Sequence, residues 1–198
     1  MNQAAKQRTL KMVQMAILLA LVLVLQLWGS SIQIGATSLS LVLIPIVVGG
    51  ILVGPLGGMI LGLFFGLITL MAGISGTDLF TSILFQNAPL RTAAICLGKG
   101  LFAGLGAGWV HKLVAKKSKY GGVFCAAAAA PIINTGLFVL GALTLSDILA
   151  ANFVDEGTTV LYFLVIGCAG WNFVLEFAVN LLVAPAIYRV VEAVTKKR

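Results

Sequence analysis

Six apolar stretches alternate with short polar segments along almost the whole chain, at about 10–28, 39–53, 58–72, 90–109, 121–143 and 159–187. About 20 mainly apolar residues suffice for an α-helix to cross the hydrocarbon of a bilayer. The pattern therefore predicts an all-α membrane protein, a bundle of six transmembrane helices forming one integral-membrane domain over 1–198. The second stretch is short and carries Pro45, and the turn Gly54-Pro55-Leu56-Gly57 joins it to the third. Between the third and fourth, Leu79, Phe80, Ile83, Leu84 and Phe85 form a brief amphipathic pattern that can dip back into the protein.

Composition agrees. The chain is 60% hydrophobic and 10% charged, against about 25% charged for a soluble domain. Its charges are sorted. Lys6, Arg8 and Lys11 precede the first stretch, Lys112, Lys116, Lys117 and Lys119 follow the fourth, and Arg189, Lys196, Lys197 and Arg198 end the chain. Asp78, Asp147, Asp155 and Glu156 occupy the alternate linkers. Lys and Arg gather in cytoplasmic loops, so both termini are expected in the cytoplasm of a multi-pass cell-membrane protein. The net charge of +7 then records topology, and no nucleic-acid partner is implied. Cys96, Cys125 and Cys168 stand singly in apolar sequence, as small packing residues. The basic-then-apolar N-terminus imitates a secretory signal, but the spans that follow favour a retained helix.

Charge within hydrocarbon is expensive, so Arg91, Lys99 and Glu176 draw attention. Arg91, Ile95 and Lys99 are four residues apart, which sets the two cations on one face of the fourth helix; Asn172, Glu176 and Asn180 make an equivalent stripe on the sixth. Asn134 and Thr135 follow Pro131 in the fifth, and Gln26, Gln86 and Asn87 add polar groups at the outer level. Two readings stand. Lys99 and Glu176 pair while the amides join helices, or these groups line a pocket that opens outward on a polar solute. Arg91 suits a carboxylate or phosphate through its planar fork, or reaches out to lipid headgroups. One histidine, no clustered acids and no Gly-x-x-x-x-Gly-Lys-Ser/Thr loop predict no catalytic centre, metal or cofactor.

Small residues at four-residue spacing let helices approach closely in a bilayer. They occur at Gly54, Gly58, Gly62 and Gly66, at Gly100, Gly104 and Gly108, and at Ala16 and Ala20. Spacing leaves open whether each stripe faces the bundle or a membrane partner.

The ordered set Ala16-Ile17-Leu18-Leu19-Ala20, Ser40 to Gly50 running into Gly54-Pro55, Leu97-Gly98-Lys99-Gly100, Pro131 to Gly136, and Asn172-Phe173-Val174-Leu175-Glu176 resembles the substrate-binding (S) components of energy-coupling factor vitamin transporters. That resemblance covers nearly the whole chain. It implies tight capture of an extracellular vitamin or precursor and docking on a transmembrane coupling subunit bound to two cytoplasmic ATPases. Ala16 and Ala20 would contact the coupling subunit, and the loop at about 29–38 would act as a lid. The pocket would draw on Gln86, Asn87, Arg91, Asn134 and Asn172. The two cations favour an anionic cargo, with pantothenate as the lead and cobalamin or a ring compound like folate or riboflavin still open. The acidic outer loops oppose an anion. A rival reading is a self-sufficient secondary carrier or small channel that uses Lys99 and Glu176 as an intramembrane pair.

Overall fold

The computed structural model describes residues 3–29, 33–34, 37–38 and 41–196. It is helical apart from a two-residue antiparallel strand pair, β1 (Gln33–Ile34) with β2 (Thr37–Ser38), which aligns Gln33 with Ser38 and Ile34 with Thr37. The rest of the lid expected at about 29–38 lies mostly outside the described residues. The helices are α1 (Gln3–Gly29), α2 (Leu43–Leu52), α3 (Pro55–Ile74), α4 (Leu79–Asn87), α5 (Pro89–Val114), α6 (Lys119–Leu143), α7 (Ser146–Phe153), α8 (Val160–Tyr162) and α9 (Trp171–Lys196). A π-helix, Phe163–Gly170, joins α8 to α9.

Five helical stretches are long and apolar enough to cross a membrane, and α2 is a shorter apolar helix. Its brevity has a local cause. Pro45 is the third residue of α2, within the first turn, where a missing N–H leaves no ladder bond unmade. The helix thus begins at Leu43 and not at 39, and it closes at Leu52. Gly54 then takes φ +112°, a conformation that L side chains rarely adopt, and Pro55 opens α3. Nine and eight residues make α4 and α7 only about 12–14 Å long at 1.5 Å per residue, far less than the roughly 30 Å of a bilayer core.

The glycine stripes of α3 and α5 face each other in antiparallel register. A Cβ on Gly58 would strike the Gly104 carbonyl, one on Gly62 the Gly100 carbonyl, and one on Gly66 the Cys96 carbonyl. Gly104 and Gly100 meet Gly58 and Gly62 in return. Gly50 on α2 continues the seam, its Cβ falling 3.2 Å from Gly108 Cα. These stripes pack the bundle's interior, bringing backbones into the contact that drives helix association in lipid. Gly54 belongs to the turn instead, with nothing within 4 Å of its Cβ position.

This register fixes two ends. At one stand the N-terminal part of α1 with Lys6, Arg8 and Lys11, the junction of α5 and α6 with Lys112, Lys116, Lys117 and Lys119, and the C-terminal part of α9 with Arg189 and Lys196. At the other stand α4, α7 and the 154–159 loop, with Asp78, Asp147, Asp155 and Glu156. Two apolar clusters fill the bundle. One joins Leu18, Val22, Leu43, Ile46, Leu61 and Phe65 along its length, and the other joins Phe80, Leu84, Leu145, Leu149, Leu164 and Cys168 at the acidic end.

Candidate functional site

Between the two clusters lies a cavity of about 80 Å³. That volume has room for several waters and is smaller than the roughly 300–1,000 Å³ of small-molecule pockets. Its polar lining converges from six elements. Gln26 comes from the end of α1, Thr69 from α3, Asp78 and Thr81 from the start of α4, and Lys99 from α5. Asn134 and Thr135 come from α6, Asn172 and Glu176 from α9. Phe65, Phe80, Phe138 and Phe173 supply the apolar walls.

Local chemistry explains how several of these groups are held. The chain folds back after α3, and Asp78 caps α4: its carboxylate accepts from Thr81 Oγ1 at 2.7 Å and from Thr81 N at 3.5 Å. A carboxylate at a helix N-terminus answers unpaired N–H groups there. On α6, Pro131 sits inside the helix and has no N–H to offer the preceding turn; Asn134 and Thr135 follow one turn later. At the end of the π-helix, Asn172 Nδ2 donates to the Cys168 carbonyl at 3.3 Å. This is the junction where i→i+5 winding gives way to i→i+4. Asn180 Nδ2 donates to the Glu176 carbonyl at 2.8 Å in the same manner.

The Lys99 ammonium lies 5.5 Å from the centroid of the Phe65 ring and 5.3 Å from that of Phe138. Both distances fall within cation–π range. Phe138 in turn touches Phe80 at 6.0 Å between centroids, and Phe80 touches Phe153 of α7 at 5.1 Å. An aromatic layer thus lies between the cavity and α7 at the acidic end.

Of the polar residues singled out in the sequence, Gln26, Asn134, Thr135, Asn172, Lys99 and Glu176 line this one cavity. Asn134 and Glu176 are buried, at 6% and 5% exposure. Gln86, Asn87 and Arg91 are exposed and are directed elsewhere. Gln86 Nε2 donates to Ser82 Oγ at 3.2 Å, Asn87 Nδ2 to the Ile83 carbonyl at 2.8 Å, and Arg91 to the Thr144 carbonyl at 3.1 Å. Arg91 therefore ties the start of α5 to the end of α6. Asp78, Thr69, Thr81, Phe65 and Phe173 were not singled out as pocket residues. The amphipathic pattern at Leu79–Phe85 was the available signal for Asp78, because it marks a segment that turns back into the bundle. Ala16 and Ala20 are both exposed on α1, on a surface that also presents Ile17, Leu21 and Val24. Among the described residues, no group of three or more His, Cys, Asp or Glu side chains could hold a metal ion.

Membrane-crossing helices enclosing a polar cavity away from the basic end define a membrane-embedded solute-binding protein. Residues 10–188 match the family described as ECF transporter, substrate-specific component, and the chain belongs to that family. Members are transport-binding subunits of the prokaryotic cell membrane, not enzymes; they take a small-molecule substrate and work with an energy-coupling module. A comparison with curated proteins gives no significant match.

Proposed function

We propose that the protein captures a vitamin or vitamin precursor from outside the cell in the Asn134–Asn172 cavity and releases it inward when the coupling module turns over ATP. The observation that carries this reading is the cavity's place, at the end opposite the lysine-rich segments. The positive-inside rule puts that basic end, with both termini, in the cytoplasm and the cavity in the outer half of the bilayer. Asn134, Asn172 and Gln26 orient the solute, and the phenylalanines cover its apolar surface. A vitamin-sized solute needs more than the present volume, so binding displaces the Lys99 side chain and the aromatic layer above it. The partner is a transmembrane coupling subunit carrying two cytoplasmic ATPases, and it meets α1 at Ala16 and Ala20. Their exposure on a helix rich in outward apolar groups supports that assignment.

The test is co-expression with a coupling subunit and its ATPases, followed by affinity purification and uptake assay. Wild-type chain is expected to co-purify with the module and to support ATP-dependent uptake, while Ala16→Trp with Ala20→Trp loses both. Normal assembly of the double variant sinks the partner assignment. Gradient-driven flux through the isolated chain in liposomes would favour a secondary carrier, since Lys99 and Glu176 line the same cavity.

A further inference from the structure

The expectation of an anionic cargo leaned on Arg91 and Lys99, and the structure separates them. Arg91 is committed to the Thr144 carbonyl outside the cavity. Apart from the Cys168 thiol, the ionisable groups that remain in the cavity are Asp78, Glu176 and Lys99, two carboxyl groups against one amine. The Lys99 ammonium has three donors to place. Among the described residues its contacts are two ring faces, Phe65 and Phe138, and no hydrogen bond or ion pair. The side chain is long, flexible and only half-buried. Such a cation is held at a position favourable to positive charge but is easily withdrawn.

Two further observations point the same way. Asn134 is 6% exposed, and its Oδ1 is buried in the cavity wall without a hydrogen-bond partner. A buried acceptor left unpaired costs about 1–3 kcal/mol, and a ligand N–H would relieve it. Outside the cavity, Asp147, Asp155 and Glu156 flank the same end, where Arg91 is the basic residue. That field draws in cations and repels anions.

We infer that the Lys99 ammonium is a tethered stand-in for the cargo's own positive charge. The cargo is a small aromatic or heteroaromatic cation that also carries an N–H. It displaces Lys99 from between Phe65 and Phe138, its charge faces Asp78 and Glu176, and an N–H donates to Asn134 Oδ1. This rests on the solute-binding function proposed above and names the substrate class for the same cavity.

The experiment uses the full-length chain in lipid nanodiscs and two probes of similar shape and opposite charge, benzamidine and benzoate. Thermal shift and titration calorimetry read binding. Benzamidine is expected to stabilise the wild type more than benzoate does. Lys99→Met removes the internal competitor and tightens benzamidine roughly fivefold or more, whereas Glu176→Gln weakens it. Should Lys99→Met fail to fold, Lys99→Gln and the wild-type comparison still decide. Preferential binding of benzoate, loss of benzamidine binding in Lys99→Met, or no response to either probe overturns the inference. None of these results bears on co-purification with the coupling module, so the transport function stands or falls separately.

Discussion

Gly62 and Gly100 meet across α3 and α5 so closely that a methyl group on either would enter the backbone of the other. The obstruction is a carbonyl, not the tip of a side chain, so relief requires the helices to move apart. Replacing a helical glycine by alanine gains about 1 kcal/mol in propensity, while overpacking a tight site costs about 1–3 kcal/mol. Gly62→Ala is therefore expected to lower stability, and Gly62→Val to lower it further. Gly136 has nothing within 4 Å of its Cβ position, so Gly136→Ala should be neutral or mildly stabilising. Thermal unfolding of both variants in one detergent checks the contrast. Equal melting temperatures for Gly62→Ala and wild type would contradict the seam.

Asp78 has two roles that substitution can separate. Asp78→Ala removes the acceptor for Thr81 N and Thr81 Oγ1 and should cost about 1 kcal/mol of stability, the usual loss of a cap. Asp78→Ser keeps a capping oxygen and should stay within about 0.5 kcal/mol of the wild type. Both remove the cavity charge, so both should weaken a cationic probe. If the serine variant melts like wild type and binds benzamidine unchanged, Asp78 is a cap alone.

Asn134 and Arg91 are expected to part company when each is changed to alanine. Asn134→Ala takes one amide from the cavity, and loss of a single hydrogen bond of about 1–1.5 kcal/mol lowers cargo affinity roughly tenfold. Unliganded stability should hold or rise, because an unpaired buried oxygen goes with it. Arg91→Ala frees the Thr144 carbonyl at an exposed site and should leave cargo affinity within about threefold. Binding titrations on the two purified variants test this. Strong loss of affinity in Arg91→Ala alone would return the site to the outer mouth.

The membrane crossings were legible because long apolar runs have few other uses, and Lys99, Glu176 and Asn134 stood out as polar groups at depth. Arg91 stands apart from Lys99 for a geometric reason. Two four-residue steps on an α-helix advance 800°, leaving about 80° between the first and last side chains. Arg91 and Lys99 accordingly point to different surroundings. The same drift separates Asn172, which lines the cavity, from Asn180, which does not. Asp78 was hidden because an acidic residue in a linker between spans resembles any solvated loop charge. Only the fold-back of α4 brings it inside. The facing of the two glycine stripes was equally silent in sequence, since spacing states that a helix can be approached and not by what.

The π-helix from Phe163 to Gly170 has a consequence for chain length. Each five-residue bond ring takes up one more residue than an α-turn does. The last crossing therefore stores spare chain between the acidic end and the segment bearing Asn172 and Glu176. Shortening the 154–159 loop by one residue can be met by rewinding part of this stretch as ordinary α-helix. The entrance can then be re-cut in length and shape while the two polar groups below it keep their positions.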